Sequence, residues 1–271
     1  MMQTFLRRCC CVLNKRWVLL MNKKIKIISL ILLVVILIAG IFIGNTYGLF
    51  TKGNSGKYSL KNTATVENSP LSGKTVIFLG SSVTYGYGSK GVSFADYLEK
   101  SDGINSIKEA VSGTTLVDIK DNSYVSRMKT IDKNIKADAF VCQLSTNDAT
   151  KEMPIGEIGE SYDINDFDTQ TIAGAIECII AYAKSTWNCP VVFYTQAKYD
   201  SDHYAKMVDL LLEIQTKWDI TVIDFWNDAE VNNITEQQRK IYLIDHIHPT
   251  KAGYKEWWLP NFQEVLYEVI R

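Results

Sequence analysis

Three side chains in this sequence have the chemistry of a nucleophile with its base. Ser82 follows the apolar run at 76–79, and Asp245 and His248 lie three residues apart near the C-terminus. A serine hydroxyl is a weak nucleophile, so it needs a base within hydrogen-bond distance and a third group that orients the base. Residues three apart can face one pocket from a single turn, whereas the adjacent pair Asp245 and His246 usually diverges. The spacing therefore favours His248 over His246 as the base.

Each of these segments also has an interpretation without catalysis. Ser82 can cap a following helix in an ordinary Ser/Gly-rich turn, and an Asp-x-x-His sequence alone is often a surface loop. The segment at 80–86 lacks the Gly-Lys-Ser/Thr ending of a phosphate-binding loop. Thr84 also replaces the second glycine of a Gly-x-Ser-x-Gly nucleophile elbow. A metal site would need His203 to join the last loop, and no Cys or His spacing in the sequence indicates zinc.

Four short motifs together carry a resemblance to the SGNH (GDSL-type) hydrolase family. In chain order they are Gly80-Ser81-Ser82-Val83-Thr84, Ala110-Val111-Ser112-Gly113-Thr114-Thr115, Ser145-Thr146-Asn147-Asp148 and Asp245-His246-Ile247-His248-Pro249. The resemblance covers residues 74–271. It implies an α/β fold, in which a single flavodoxin-like domain has a five-stranded parallel sheet with helices on both faces. It also implies an esterase that uses no cofactor and no metal.

The resemblance assigns a role to each motif. It implies that Ser82 is the nucleophile, His248 the base and Asp245 the residue that orients the base. The backbone N–H groups of Ser82 and Gly113 and the side-chain amide of Asn147 are then expected to form an oxyanion hole.

Two positions depart from the family's pattern. Ser81 stands where the family has an aspartate before the nucleophile, and Ser145 stands where it has a glycine two residues before the asparagine. Neither position supplies a reacting group, so we expect activity to survive. The departures are consistent with a subfamily that has its own substrate.

The hydropathy pattern alternates between strands and helices. It predicts strands at 75–80, 106–111, 138–144, 190–196 and 220–225, and helices at about 93–100, 125–134, 168–187, 201–217 and 250–270. Such alternation predicts a parallel sheet with helices on both sides. Every candidate site residue then follows a strand or lies in the last loop, at the edge where open α/β sheets bind ligands.

The sequence of the N-terminal part of the chain predicts a membrane anchor. The first 26 residues contain seven Lys or Arg and no acid, and no charge occurs from 27 to 51. By the positive-inside rule, the basic arm stays in the cytoplasm and the later residues lie outside. We expect a cytoplasmic arm at 1–26, a transmembrane signal-anchor at 27–47, a spacer at 48–73 and the hydrolase domain at 74–271. A cleaved signal peptide, with a secreted product, is the alternative.

The first twenty residues have their own alternative, because Met21-Asn22-Lys23-Lys24 would also make an ordinary signal start. The chain would then start at Met1 or at Met21. Cys9, Cys10 and Cys11 lie beside the predicted span and are candidates for acylation if that part is present.

The net charge and the cysteine content argue against certain partners and against full disulfide pairing. Seven of the 29 basic residues precede the apolar stretch, which leaves 22 against all 30 acids, a charge near −8 for the outer part. Such an acidic domain argues against nucleic acid as a partner and against tight adhesion to anionic lipid. Cys142, Cys178 and Cys189 are an odd number, so they cannot all pair, and Cys142 is expected to be a buried free thiol.

The leading hypothesis is a membrane-anchored serine esterase that faces the outside. Its expected substrate is an acyl ester, above all an O-acetyl group, on a glycan or small molecule, with Tyr85 and Tyr199 expected to contact it. An acyltransferase or lysophospholipase of the same fold and a non-catalytic glycan-binding domain are the alternatives. The oligomeric state does not follow from the sequence.

Overall fold

The computed structural model describes residues 23–42, 44, 48 and 51–270. The chain divides into two units, Met1–Thr46 and Tyr47–Arg271. The predicted cytoplasmic arm, including Cys9 to Cys11, lies outside the described residues as far as position 22, and residues 43 and 45–47 of the predicted signal-anchor also lie outside them.

In the part of the first unit that the structure describes, there is one long helix, α1, which spans Lys23–Phe42. Its twenty residues rise about 30 Å, which is the thickness of a bilayer's hydrocarbon core. After Lys26 the helix is strongly apolar, and its side chains are exposed. Its length and composition suit a membrane span and a signal sequence alike.

The second unit is built on a five-stranded sheet in which all strands are parallel, with the order β2-β1-β3-β4-β5. The strands are β1 (Thr75–Gly80), β2 (Asn105–Ala110), β3 (Ala139–Gln143), β4 (Val191–Tyr194) and β5 (Thr221–Ile223). This confirms the predicted fold class. β1 and β3 are neighbours near the centre of the sheet, so segments that leave their carboxyl ends meet above it.

Helices cover both faces of the sheet. They are α2 (Ser82–Tyr85), α3 (Phe94–Asp102), α4 (Tyr124–Met128), α5 (Thr146–Thr150), α6 (Ile172–Trp187), α7 (Asp202–Trp218), α8 (Ala229–Asn232), α9 (Glu236–Tyr242) and α10 (Leu259–Val269). Side chains alternate along the strands. Ile77 and Leu79 pack with α6 and α7 in one core cluster, while Val76 and Phe78 pack with α3 and α10 in the other.

Several helix boundaries differ from the prediction. α6 begins at Ile172 and not at Asp168, because Thr171 caps it by accepting a hydrogen bond from the Gly174 N–H. α4 ends at Met128. The predicted C-terminal helix contains a π-helical turn at Gly253–Trp258 before α10. The short helices α8 and α9 were not predicted, because one or two turns carry little periodic signal.

From residue 51 onward, the residues predicted as a spacer have a defined structure in the second unit. They form three successive 3-10 turns at Lys52–Asn54, Gly56–Tyr58 and Leu60–Asn62. Tyr58 and, further along, Leu71 are buried against the domain. This segment therefore packs with the domain that it was expected to connect to the membrane.

The three cysteines among the described residues are free and buried, which confirms the prediction for Cys142. Burial raises the pKa of the thiols of Cys142, Cys178 and Cys189, so these groups are poor nucleophiles at neutral pH.

Candidate active site

The segment around Ser82 is a tight turn from the end of β1 into α2. Gly80 is required there, because a Cβ at this position would lie 1.8 Å from the Thr84 hydroxyl oxygen. Gln143, the last residue of β3, accepts hydrogen bonds through Oε1 from the Ser81 N–H at 3.0 Å and from the Thr84 hydroxyl at 2.9 Å. The neighbouring strand thus fixes the turn that presents Ser82.

The loop that carries the candidate base is closed on itself. Leu243 and Pro249 form an antiparallel bridge, and the Ile244 N–H donates to the His248 carbonyl at 3.0 Å. Gln196, which follows β4, donates through Nε2 to the carbonyl of Ile247 at 2.7 Å. The loop is therefore anchored to the carboxyl edge of the same sheet that carries Ser82.

Ser82, His248 and Asp245 form a chain of hydrogen bonds. The His248 Nε2–Ser82 Oγ distance is 2.8 Å, and the His248 Nδ1–Asp245 Oδ2 distance is also 2.8 Å. Because a carboxylate can only accept, it selects the tautomer with the proton on Nδ1, which leaves Nε2 as acceptor for the serine hydroxyl. The structure thus unites the three residues in the order that nucleophilic catalysis requires.

Asp245 is held in its ionised form. Partial burial acts to raise its pKa, but the hydrogen bond and charge of His248 and the backbone N–H groups of His248 and Ile247 outweigh burial. The pKa of Asp245 is lowered to about 2. Both N–H groups donate to its Oδ1 at 2.8 Å. The carboxylate is therefore charged and fixed in position throughout the neutral range.

The other two histidines have different surroundings. His246 is exposed, and its ring lies 5.9 Å from the ring of Tyr199. The Nε2 atom of His203 lies 2.9 Å from the Met153 carbonyl oxygen. Among the described residues, no group of three or more His, Cys, Asp and Glu side chains is placed to hold a metal ion.

The loop that contains Gly113 flanks the nucleophile turn. Gly113 has a φ of +82°, a conformation that favours glycine, and a Cβ there would meet no atom within 4 Å. The buried guanidinium of Arg127 donates through Nη2 to the carbonyl of Gly80 at 2.8 Å and to the hydroxyl of Thr114 at 3.1 Å. Arg127 therefore ties the end of β1 to the loop, and the space above Gly113 is open to a ligand.

Asn147 lies in the first turn of α5 beside the same loop. Its Nδ2 donates to the Thr114 carbonyl at 2.9 Å, which uses one of the two amide protons. The Ser145 hydroxyl accepts from the Asn147 N–H at 3.2 Å and so caps α5. The second amide proton of Asn147 thus has the chemistry for an oxyanion, as do the N–H groups of Gly113 and Ser82. The Ser82 N–H belongs to the first turn of α2, where N–H groups have no partner within the helix.

Asp148 has a structural position that the sequence analysis missed. Its fully buried carboxylate accepts from the Leu116 N–H at 2.8 Å and from the Val117 N–H at 3.1 Å. Burial raises the pKa of this carboxyl, partly offset by a hydrogen bond from Ser145 and by those two N–H groups. Asp148 therefore holds the segment that follows Gly113 in place. In the sequence, its position directly after Asn147 indicated only that it lies near the site.

The aromatic residues around the site have different surroundings. Tyr85 is 45% exposed on α2, whereas the ring of Tyr199 packs against Tyr204 at 5.2 Å and Trp226 at 5.6 Å. Tyr87, which was not expected at the site, has its ring centroid 4.9 Å from that of His248. In the sequence, its position two residues after Tyr85 was the feature that pointed to a place near the site.

Comparisons with known proteins identify the family and the fold of this chain. A family model described as the GDSL-like lipase/acylhydrolase family matches residues 78–256. A search of curated proteins found no match.

Solved structures share the fold at low sequence identity. A protein from Lactobacillus plantarum is 22% identical with a TM-score of 0.62, covering 73% of this chain and 98% of its own. A protein from Bacteroides ovatus described as a GDSL-like lipase is 16% identical with a TM-score of 0.53, covering 73% and 99%. A family two carbohydrate esterase from Clostridium thermocellum, in complex with cellohexaose, is 13% identical with a TM-score of 0.50, covering 72% and 64%.

Proposed function

This chain belongs to the GDSL-like lipase/acylhydrolase family, and from that premise we propose that it is an extracytoplasmic serine esterase that removes acyl groups, above all O-acetyl groups, from a glycan or small molecule. The observation that carries the proposal is the Ser82–His248–Asp245 chain, with both hydrogen bonds at 2.8 Å. A folded domain that only binds glycans would have no need for this alignment.

The geometry supports a two-step reaction. Ser82 Oγ attacks the ester carbonyl carbon while its proton passes to His248 Nε2, and the carbonyl electron pair moves onto oxygen. The proposed oxyanion hole stabilises that charge. Collapse expels the alcohol, which takes the proton from His248 and leaves an acyl group on Ser82. Water then attacks in the same way and releases the acid.

The expectation of a glycan ester is supported by three observations. The apolar helix α1 follows a basic arm, an arrangement that by the positive-inside rule favours a domain outside the cytoplasm. The net charge near −8 of residues 27–271 disfavours binding to anionic lipid surfaces. The carbohydrate esterase with a related fold was solved with cellohexaose, a ligand that belongs to that protein.

Ester substrates of graded size test the proposal. The purified chain should hydrolyse acetyl esters, including acetylated oligosaccharides, faster than long-chain acyl esters or lysophospholipid. Release of acetate to water and transfer of the acetyl group to an added sugar distinguish hydrolysis from acyl transfer. Preference for long acyl chains would favour the lysophospholipase, and no turnover of any ester would overturn the esterase proposal.

The location gives a separate prediction. Because the basic arm should stay inside, the chain is expected in the membrane fraction with its domain accessible to added protease. The measurement is fractionation of cells followed by protease shaving and immunoblotting against the domain. A shortened, soluble product in the medium would show instead that the N-terminal segment is a cleaved signal.

The proposed role of Asn147 gives a further prediction. Asn147→Ala should lower turnover by roughly two to three powers of ten, because one donor to the oxyanion is lost mainly in the transition state. KM and the melting temperature should change little. Steady-state kinetics and a thermal melt of the purified variant are the measurements.

Ser145→Ala is the matched control for Asn147. It removes the α5 cap, worth about 1 kcal/mol of stability, together with the hydrogen bond from the Ser145 hydroxyl to Asp148, and it keeps the Asn147 amide. Asp148→Asn is a poor control, since its amide nitrogen would face one of the two backbone N–H donors. If Asn147→Ala behaves like Ser145→Ala, less stable but active, Asn147 has no part in the oxyanion hole.

A further inference from the structure

Asn54 makes three hydrogen bonds that converge beside the active site. Its Nδ2 donates to the carbonyls of Gly88 at 2.7 Å and Gly48 at 2.8 Å, and its Oδ1 accepts from the Lys251 N–H at 2.9 Å. The side chain is buried, with 8% of Asn54 exposed. Both amide protons are therefore used, and the partners come from three segments of the chain.

Two of these partners flank the nucleophile and the base. Gly88 lies six residues after Ser82, and Lys251 lies three residues after His248. Gly88 also contacts the base loop directly, because a Cβ at this position would lie 2.6 Å from the Pro249 carbonyl oxygen and 3.1 Å from the His248 Cβ. Asn54 thus bridges the nucleophile side and the base side at the place where they meet.

The segment that carries Asn54 is seated closely on the domain. A Cβ at Gly53 would lie 1.9 Å from the Ile241 carbonyl oxygen and 2.4 Å from the Thr250 hydroxyl oxygen, so only glycine fits there. Further along, the Tyr97 hydroxyl donates to the Tyr58 carbonyl, and Lys255 Nζ donates to the Asn62 carbonyl at 2.7 Å. These contacts hold the whole of 51–62 in place.

The distance between nucleophile and base depends on such packing. Ser82 follows β1, whereas His248 lies 166 residues later in a loop that no strand supplies directly. A displacement of about 1 Å between reacting groups can lower turnover by roughly 100-fold. Contacts that lock the two loops together therefore affect the rate even where they touch no substrate.

We propose that the segment 51–62, which precedes the residues matched by the family model, is part of the active-site architecture and that Asn54 is a positioning residue for His248. The proposal rests on the proposed esterase function. It makes the region upstream of residue 78 necessary for efficient turnover and not only a link to the membrane.

Replacement of Asn54 tests this in the full-length chain. Asn54→Ala should lower kcat by about 10- to 100-fold and leave KM within about twofold, because the substrate's contacts are intact while the base is misplaced. Asn54→Asp should act in the same direction, since it retains the acceptor for Lys251 but loses both donors. Asn105→Ala is the matched control: it removes a similar bond, from Nδ2 to the Gly73 carbonyl at 3.0 Å, at the start of β2 and outside the segment 51–62.

A second readout separates this proposal from the esterase function. The rate at which a fluorophosphonate modifies Ser82 depends on His248 but needs no natural substrate. This rate should fall in both Asn54 variants and not in Asn105→Ala. All rates are measured well below each melting temperature and per folded molecule. If Asn54→Ala does not fold, Asn54→Asp decides by the same criteria. Parental kcat and parental labelling in a folded Asn54 variant would overturn the proposal. If the chain without substitutions is labelled at Ser82 but hydrolyses no ester, only the esterase function is overturned.

Discussion

Ser82→Ala is expected to lower ester turnover by about 10⁵- to 10⁶-fold, to the limit of detection, while the fold stays intact. The substitution removes the hydroxyl that forms the acyl intermediate, and nothing else in the site can replace it. Within the described part of the chain, the Ser82 side chain loses one hydrogen bond, the one to His248 at 2.8 Å. The turn itself is held by Gly80, Thr84 and Gln143. The measurements are kcat/KM with a short acetyl ester and a thermal melt.

The neighbouring serine provides the control. Ser81 is also buried, but its backbone N–H makes the strong contact, to Gln143 at 3.0 Å, and its hydroxyl lies 3.4 Å from the same oxygen. Ser81→Ala should therefore keep most of the activity. Near-parental turnover by Ser82→Ala would mean that another residue is the nucleophile.

His248→Ala should be similarly severe, with a loss of about 10⁵- to 10⁶-fold, because Ser82 would then have no base. The structure places His248 Nε2 2.8 Å from Ser82 Oγ and its Nδ1 the same distance from Asp245. Steady-state kinetics of the purified variant measure the loss, and circular dichroism checks that the fold is retained.

His246→Ala is the matched histidine control, two residues away in the same loop. Its ring is exposed and lies near Tyr199, so its removal should have a mild effect. If the two histidine variants exchange their severity, the base has been assigned to the wrong residue.

The sheet could be predicted from the sequence because its strands have a clear hydropathy pattern. Phe78 and Val141 belong to short, continuous apolar runs, and such runs bounded by turn residues are typical of buried parallel strands. The order of strands and motifs then brings Ser82 and His248 to one edge of the sheet. The short helices α8 and α9 escaped prediction because so few residues fix no clear period.

The supporting residues around the site could not be predicted, because their roles depend on contacts over long separations. An arginine in a short helix is expected at the surface, yet the guanidinium of Arg127 is buried against Gly80 and Thr114. Gln143 ends an apolar strand, and its acceptor role appears only once β1 lies beside β3. Asn54 lies in a polar stretch whose composition is that of a linker, and only its three bonds show otherwise.

The measurement that tests the central claim most directly is modification of the purified chain by a fluorophosphonate, followed by peptide mass spectrometry. A serine activated as proposed should take up one equivalent, on the peptide that contains Ser82, and ester turnover should fall in parallel with the modification. Ser82→Ala and His248→Ala should remain unmodified under the same conditions. Modification at another residue, or full ester turnover in a chain modified at Ser82, would contradict the assignment of Ser82 as the nucleophile of this esterase.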